Sequence, residues 1–232
     1  MEGITLETIG YAILGGLIPS FLWLWFWLKE DKEKPEPKGL LALTFILGIV
    51  VVIIILPLEK LVSGIFVNNN NIAIVIWASL EEIIKYLAVV LIVFGSPHLD
   101  EPIDYPIYFI TVALGFAALE NALFLLKPLS LNDSVVSLLN GNLRFLGATL
   151  LHAIASGFIG IVLGISFYKK QYQKRFYLLG GLIGAIALHS VFNFFIMKDG
   201  GENFFIVFGF LWVITIINLL LFEKLRRMSG RI

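Results

Sequence analysis

GLLALTFILGIVVVIIILP, the stretch from Gly39 to Pro57, decides the fold. It holds no charged residue, and as a helix rising 1.5 Å per residue it reaches about 28 Å, close to the hydrocarbon thickness of a bilayer. Six further apolar runs surround it, at roughly 9–28, 72–94, 107–126, 145–168, 176–197 and 204–222. The connections between runs, such as KEDKEKPEPK at 29–38 and GSPHLDEPIDYP at 95–106, are rich in Pro, Asn, Gly and charge, which are breaker signals. Hydrophobic residues make up 59% of the chain and mean hydropathy is +0.92, well beyond a soluble domain. The expectation is an all-α polytopic membrane protein, with about seven transmembrane helices in one bundle. Seven spans in 232 residues leave little for a soluble module, so one integral membrane domain over 1–232 is expected.

Charge excludes some roles and orients the chain. Lys and Arg number 17 against 17 Asp and Glu, so no basic groove for nucleic acid is expected and the bilayer itself is the first partner. Cysteine is absent, which removes disulfides, thiolate metal sites and a cysteine nucleophile. Glu2 and Glu7 precede the first run without any Lys or Arg, so that run reads as a retained helix rather than a cleaved signal. With the N-terminus outside, 12 basic residues fall on the inner side and 4 on the outer, Lys85 lying inside a span. This bias predicts an integral cell-membrane protein with its N-terminus outside and its C-terminus cytoplasmic. Trp23, Trp25 and Trp27 read as interfacial anchors, Lys127 and Arg144 as side chains snorkelling to the outer interface, and His98 as a solvated loop residue.

Ionisable residues at bilayer depth are expensive and so are functional candidates. Glu81, Glu82 and Lys85 lie in the third run, Glu120 and Asn121 in the fourth, His152 in the fifth, and His189 and Asn193 in the sixth. Counting residues from the outer ends of their runs puts Glu81, Glu82, Glu120, His152 and His189 roughly 9–15 Å deep, in one layer of the outer leaflet. Four successive helices thus offer polar groups to one site. Glu81 and Lys85 are i,i+4 and Glu82 and Lys85 i,i+3, so Lys85 can neutralise one carboxylate and leave the other for chemistry. Phe116 with Glu120, and His189 with Asn193, are also i,i+4 pairs.

Two mechanisms use such a set. Glu82 or Glu81 can act as general base on a water also held by a histidine, with the second histidine and Asn193 stabilising an oxyanion. Alternatively Glu82, Glu120, His152 and His189 bind a divalent metal such as zinc that activates the water. No HExxH motif is present, and spacing leaves both mechanisms open. Buried Glu and His relays also serve proton- or cation-coupled carriers, and a non-catalytic scaffold could keep the same fold.

EEIIK (Glu81, Glu82, Lys85), FAALEN (Phe116, Glu120, Asn121), His152 and HSVFN (His189, Asn193), in this order on successive spans, resemble the PrsW family of intramembrane proteases. That family sits within the wider group of CAAX-type prenyl endopeptidases and Abi proteins. The acidic, Pro-rich first loop is similar too. The resemblance implies an intramembrane endopeptidase acting on transmembrane or membrane-anchored proteins, with Glu81, Glu82 and His152 as its catalytic core. His189 and Asn193 would match the wider group's oxyanion pair, while Lys85, Phe116, Glu120 and Asn121 support the site. Glu120-Asn121 stands near the place where the CAAX-type pattern has a His, which argues against prenylated substrates.

Overall fold

The computed structural model describes residues 4–29, 34–130, 134–198 and 204–229, with backbone only for helix residues 127–130, 134–146, 196–198 and 204. These residues form seven α-helices: α1 (Leu6–Leu28), α2 (Lys38–Ile65), α3 (Asn70–Ile92), α4 (Asp104–Ser130), α5 (Ser134–Ile165), α6 (Gln171–Lys198) and α7 (Phe204–Ser229). Six of them contain a segment long and apolar enough to cross a membrane. The exception is α3, which is 23 residues long but carries Glu81, Glu82 and Lys85 in its interior. The all-helical, polytopic membrane architecture read from hydropathy is the observed one.

Local chemistry explains the helix ends. Thr5 caps α1 by accepting a hydrogen bond from the Thr8 amide, and Asn69 caps α3 by accepting one from Ile72. Beyond α3 the chain turns at Gly95, whose φ of +91° suits a residue without Cβ. Pro19 and Pro57 both sit inside helices. The run read as ending at Pro57 therefore continues for two more turns to Ile65, and the connection expected at 58–71 is mostly helix. The connection expected at 127–144 is likewise largely the end of α4 and the start of α5. Helices outlast their apolar cores because polar residues at their ends reach the headgroup region. The interfacial roles expected for Lys127 and Arg144 fall on side chains outside the described residues. Trp27, expected at the interface with Trp23 and Trp25, is instead buried against Phe222 of α7.

α4 is the axis of the bundle, packed against α1, α2 and α5, while α5 also carries α6 and α7. The α2–α4 crossing depends on two glycines. A Cβ on Gly48 would stand 2.0 Å from the Val112 carbonyl oxygen, and one on Gly115 would stand 2.0 Å from that of Phe45. Backbones this close are the small-residue packing favoured where lipid supplies no hydrophobic drive between helices. α3 lies across α2 and α6 and touches α4 and α5 at its edge, so its charged face looks into the bundle. On the loop side of α4, Tyr108 donates a hydrogen bond to the buried Glu36, tying the first loop to the core.

Candidate active site

Each charged residue of α3 finds its partners on other helices at the same level. Lys85 is wholly buried, and its Nζ donates to Glu82 Oε1 at 3.0 Å, Glu81 Oε2 at 3.3 Å and His152 Nδ1 at 2.9 Å. The ammonium also sits 4.0 Å from the centroid of the Phe116 ring. Glu82 is enclosed: it accepts hydrogen bonds from Lys85, from His189 Nδ1 at 2.9 Å and from Ser156 Oγ at 2.6 Å. Buried charges persist only with such partners.

Hydrogen bonding sets the two imidazoles. His152 accepts from Lys85 at Nδ1 and donates from Nε2 to Glu120 Oε2 at 2.8 Å, which is the neutral ring protonated on Nε2. His189 donates from Nδ1 to Glu82, turning Nε2 toward Glu81 Oε2, 3.7 Å away. The two rings lie 5.0 Å apart and steeply inclined, and Phe116 stacks edge-on to His152.

Glu81, Glu120 and Asn193 line a cavity of about 600 Å³ together with Phe116, Trp77 and aliphatic residues of α2 and α4. Glu120 keeps 22% of its side chain exposed there, whereas Glu82 has none. Adjacent helical residues point about 100° apart, so one of the paired glutamates faces the cavity and the other the bundle interior. Of the residues singled out from sequence, Glu81, Glu82, Lys85, Phe116, Glu120, His152, His189 and Asn193 all reach this site. Asn121 instead donates to Thr149 at 2.8 Å, joining α4 to α5.

Two participants escaped the sequence reading. Ser156 is one turn beyond His152 on the same face, a spacing that could have drawn notice. Glu59 lines the cavity from the extended part of α2, which was read as loop.

Three residues could hold a metal. Glu81, His152 and His189 each offer one atom, and these atoms lie within 4.8 Å of one another. Nitrogen and carboxylate donors suit zinc. Glu82 and Glu120 take a ring N–H from His189 and His152 respectively, the outer contacts that orient histidine ligands. The set fits a metal, provided that Lys85 yields the lone pair of His152 Nδ1.

A polar centre of two histidines and several carboxylates, enclosed by membrane helices and opening to a cavity, has the groups that an intramembrane hydrolase requires. Residues 36–220 match the family described as PrsW family intramembrane metalloprotease, and the chain belongs to that family. It is similar to Protease PrsW of Geobacillus kaustophilus, 27% identical over 158 residues that cover 66% of this chain and 65% of the relative. Protease PrsW of Shouchella clausii is 26% identical over 80% of this chain and 81% of its own length, and that of Clostridioides difficile 27% identical over 81% and 80%. No solved structure matches the chain. Membership makes it an intramembrane protease and takes the support from the carrier and scaffold readings. α1 begins outside the matched residues yet packs on α4 in the same bundle.

Proposed function

We propose that this protease cleaves transmembrane or membrane-anchored protein segments at the Glu81–His152–His189 centre, in the outer half of the bilayer, with its N-terminus outside and its C-terminus cytoplasmic. The observation that carries this reading is the division of labour among the carboxylates: Glu81 faces the cavity, while Glu82 and Glu120 each hold one histidine. Glu81, His152 and His189 would hold a divalent metal. When bound, such an ion polarises the scissile carbonyl and makes its water a nucleophile at neutral pH.

The chain's own residues do the rest. Glu82 fixes the His189 tautomer with Nε2 free of its proton, and Ser156 and Lys85 hold Glu82 in place for that task. Glu120, with solvent access and a hydrogen bond to His152, takes the proton of the attacking water and returns it to the leaving amine. Asn193 stands on the cavity wall one helical turn from His189, where its amide can donate to the carbonyl oxygen as charge develops. Val52, Ile55, Leu56 and Leu123 give the cavity an apolar wall that suits a membrane segment and limits water to the centre.

The test is cleavage of a transmembrane-peptide library by the purified protein in detergent. Wild type should cleave, and Glu81→Gln and His152→Ala should lose cleavage while remaining folded. Cleavage surviving in the double variant Glu81→Gln, Glu82→Gln would sink the assignment.

A further inference from the structure

Glu59 is the carboxylate at the site with no part in the reaction as set out above. It is half-buried on α2, and its backbone is pinned on both sides: its carbonyl accepts from Trp77 Nε1 of α3 at 3.2 Å and from Ser63 Oγ at 2.7 Å. The side chain enters the same cavity as Glu81 and Glu120. Its carboxyl group is in hydrogen-bonding contact with that of Glu81 and within electrostatic reach of that of Glu120.

Carboxylates do not gather in this way without something between them. Glu59, Glu81, Glu82 and Glu120 surround the centre, and among the described residues Lys85 is the buried ammonium that answers them. His152 is held neutral by its two hydrogen bonds. A hydrogen bond between Glu59 and Glu81 takes up one proton, and even with His189 protonated as well the cluster stays short of one positive charge, at a depth where unpaired charge is costly. Lys60, although on the cavity wall, is exposed. A divalent cation placed against Glu81 would lie next to Glu59 and cover that deficit.

We propose that Glu59 is a metal-facing carboxylate, supplied by α2 to the set Glu81, His152 and His189. The proposal rests on the metal-holding centre set out above. It gives the ion ligands from α2, α3, α5 and α6, so that metal binding ties the cavity wall to the histidine helices.

The test is zinc titration of metal-stripped, full-length protein in detergent against a competing fluorescent chelator, paired with thermal unfolding with and without zinc. Glu59→Gln should bind zinc about 10- to 100-fold more weakly than wild type, the range for loss of a contact that tunes a metal site. Glu59→Asp should fall between the two, and Glu223→Gln, a surface carboxylate on α7, should match wild type. Without metal, Glu59→Gln should unfold no earlier than wild type, since the new amide can still donate to Glu81. Zinc should raise its unfolding temperature less. Undiminished zinc affinity in Glu59→Gln, with Glu81→Gln weakened, would overturn the role of Glu59 and leave the centre standing. Early unfolding of metal-free Glu59→Gln would also overturn it, marking the residue as structural. Failure of wild type to take up zinc, or undiminished affinity in Glu81→Gln, would remove the centre and this proposal together.

Discussion

Lys85→Met is the perturbation with the clearest expected magnitude. Methionine keeps most of the length and apolar stem of the side chain and removes the ammonium with its charge and donors. In the wild type that charge lies 3.0 and 3.3 Å from two carboxylates and 2.9 Å from His152, with no exposure to solvent. Removing one partner of a buried ion pair costs about 3–5 kcal/mol, because the other charge is left uncompensated. Glu82 keeps His189 and Ser156, so most of the penalty falls on Glu81. The lost contact with the Phe116 ring, worth up to about 2 kcal/mol when desolvated, pushes toward the upper end. The assay is reversible unfolding in mixed micelles, read by tryptophan fluorescence, as a cycle with Glu82→Gln and the double variant. The two residues should couple by about 1–3 kcal/mol, the double variant losing less than the sum of the singles. An exposed pair is worth only about 0–1 kcal/mol. Destabilisation of Lys85→Met within 1 kcal/mol, or strictly additive effects, would refute the view of Lys85 as the buried counterion of both glutamates.

Other outcomes follow from the same geometry. Ser156→Ala removes a 2.6 Å hydrogen bond to a buried carboxylate and should cost about 1.5–3 kcal/mol of stability, measured in the same unfolding assay. Glu82→Gln should lower cleavage by about 10- to 100-fold through misorientation of His189, with zinc affinity falling in parallel in chelator competition. Gly115→Ala forces a Cβ onto the Phe45 carbonyl and should cost about 1–3 kcal/mol, with wild-type stability in the variant contradicting the close α2–α4 crossing. A membrane-permeant chelator should stop peptide cleavage and added zinc restore it, whereas cleavage indifferent to both would favour water activation by carboxylate and histidine alone.

Much of this was legible in the sequence because a bilayer imposes a length and a depth on every helix. Apolar runs located the helices, and residue counts along them put Glu81, Glu120, His152 and His189 at one level, where the structure brings them together. Counting alone does not report helix rotation, so it could not tell that Glu81 faces the cavity while Glu82 turns to Ser156 and His189. Glu59 was lost for a different reason. Pro57 and the charges after it look like the end of a span, but a membrane helix tolerates proline, and α2 runs on past it. Asn121 shows the opposite error of proximity, since it neighbours Glu120 in the chain yet points to Thr149 on α5.

The composition of α3 has a consequence for how the chain is made. A charged residue at the centre of a nascent segment opposes its release into lipid by about 2.5–3.5 kcal/mol. Glu81, Glu82 and Lys85 together make α3 a poor candidate to leave the insertion machinery alone, whereas α2 is an excellent one. Lys85 can meet both glutamates within its own helix, which lowers the barrier before any neighbour arrives. The remaining charge needs the imidazoles of α5 and α6, which are synthesised later. Biogenesis of α3 is thereby tied to completion of the polar centre, and a variant that removes both imidazoles should lower the amount of protein that reaches the membrane intact.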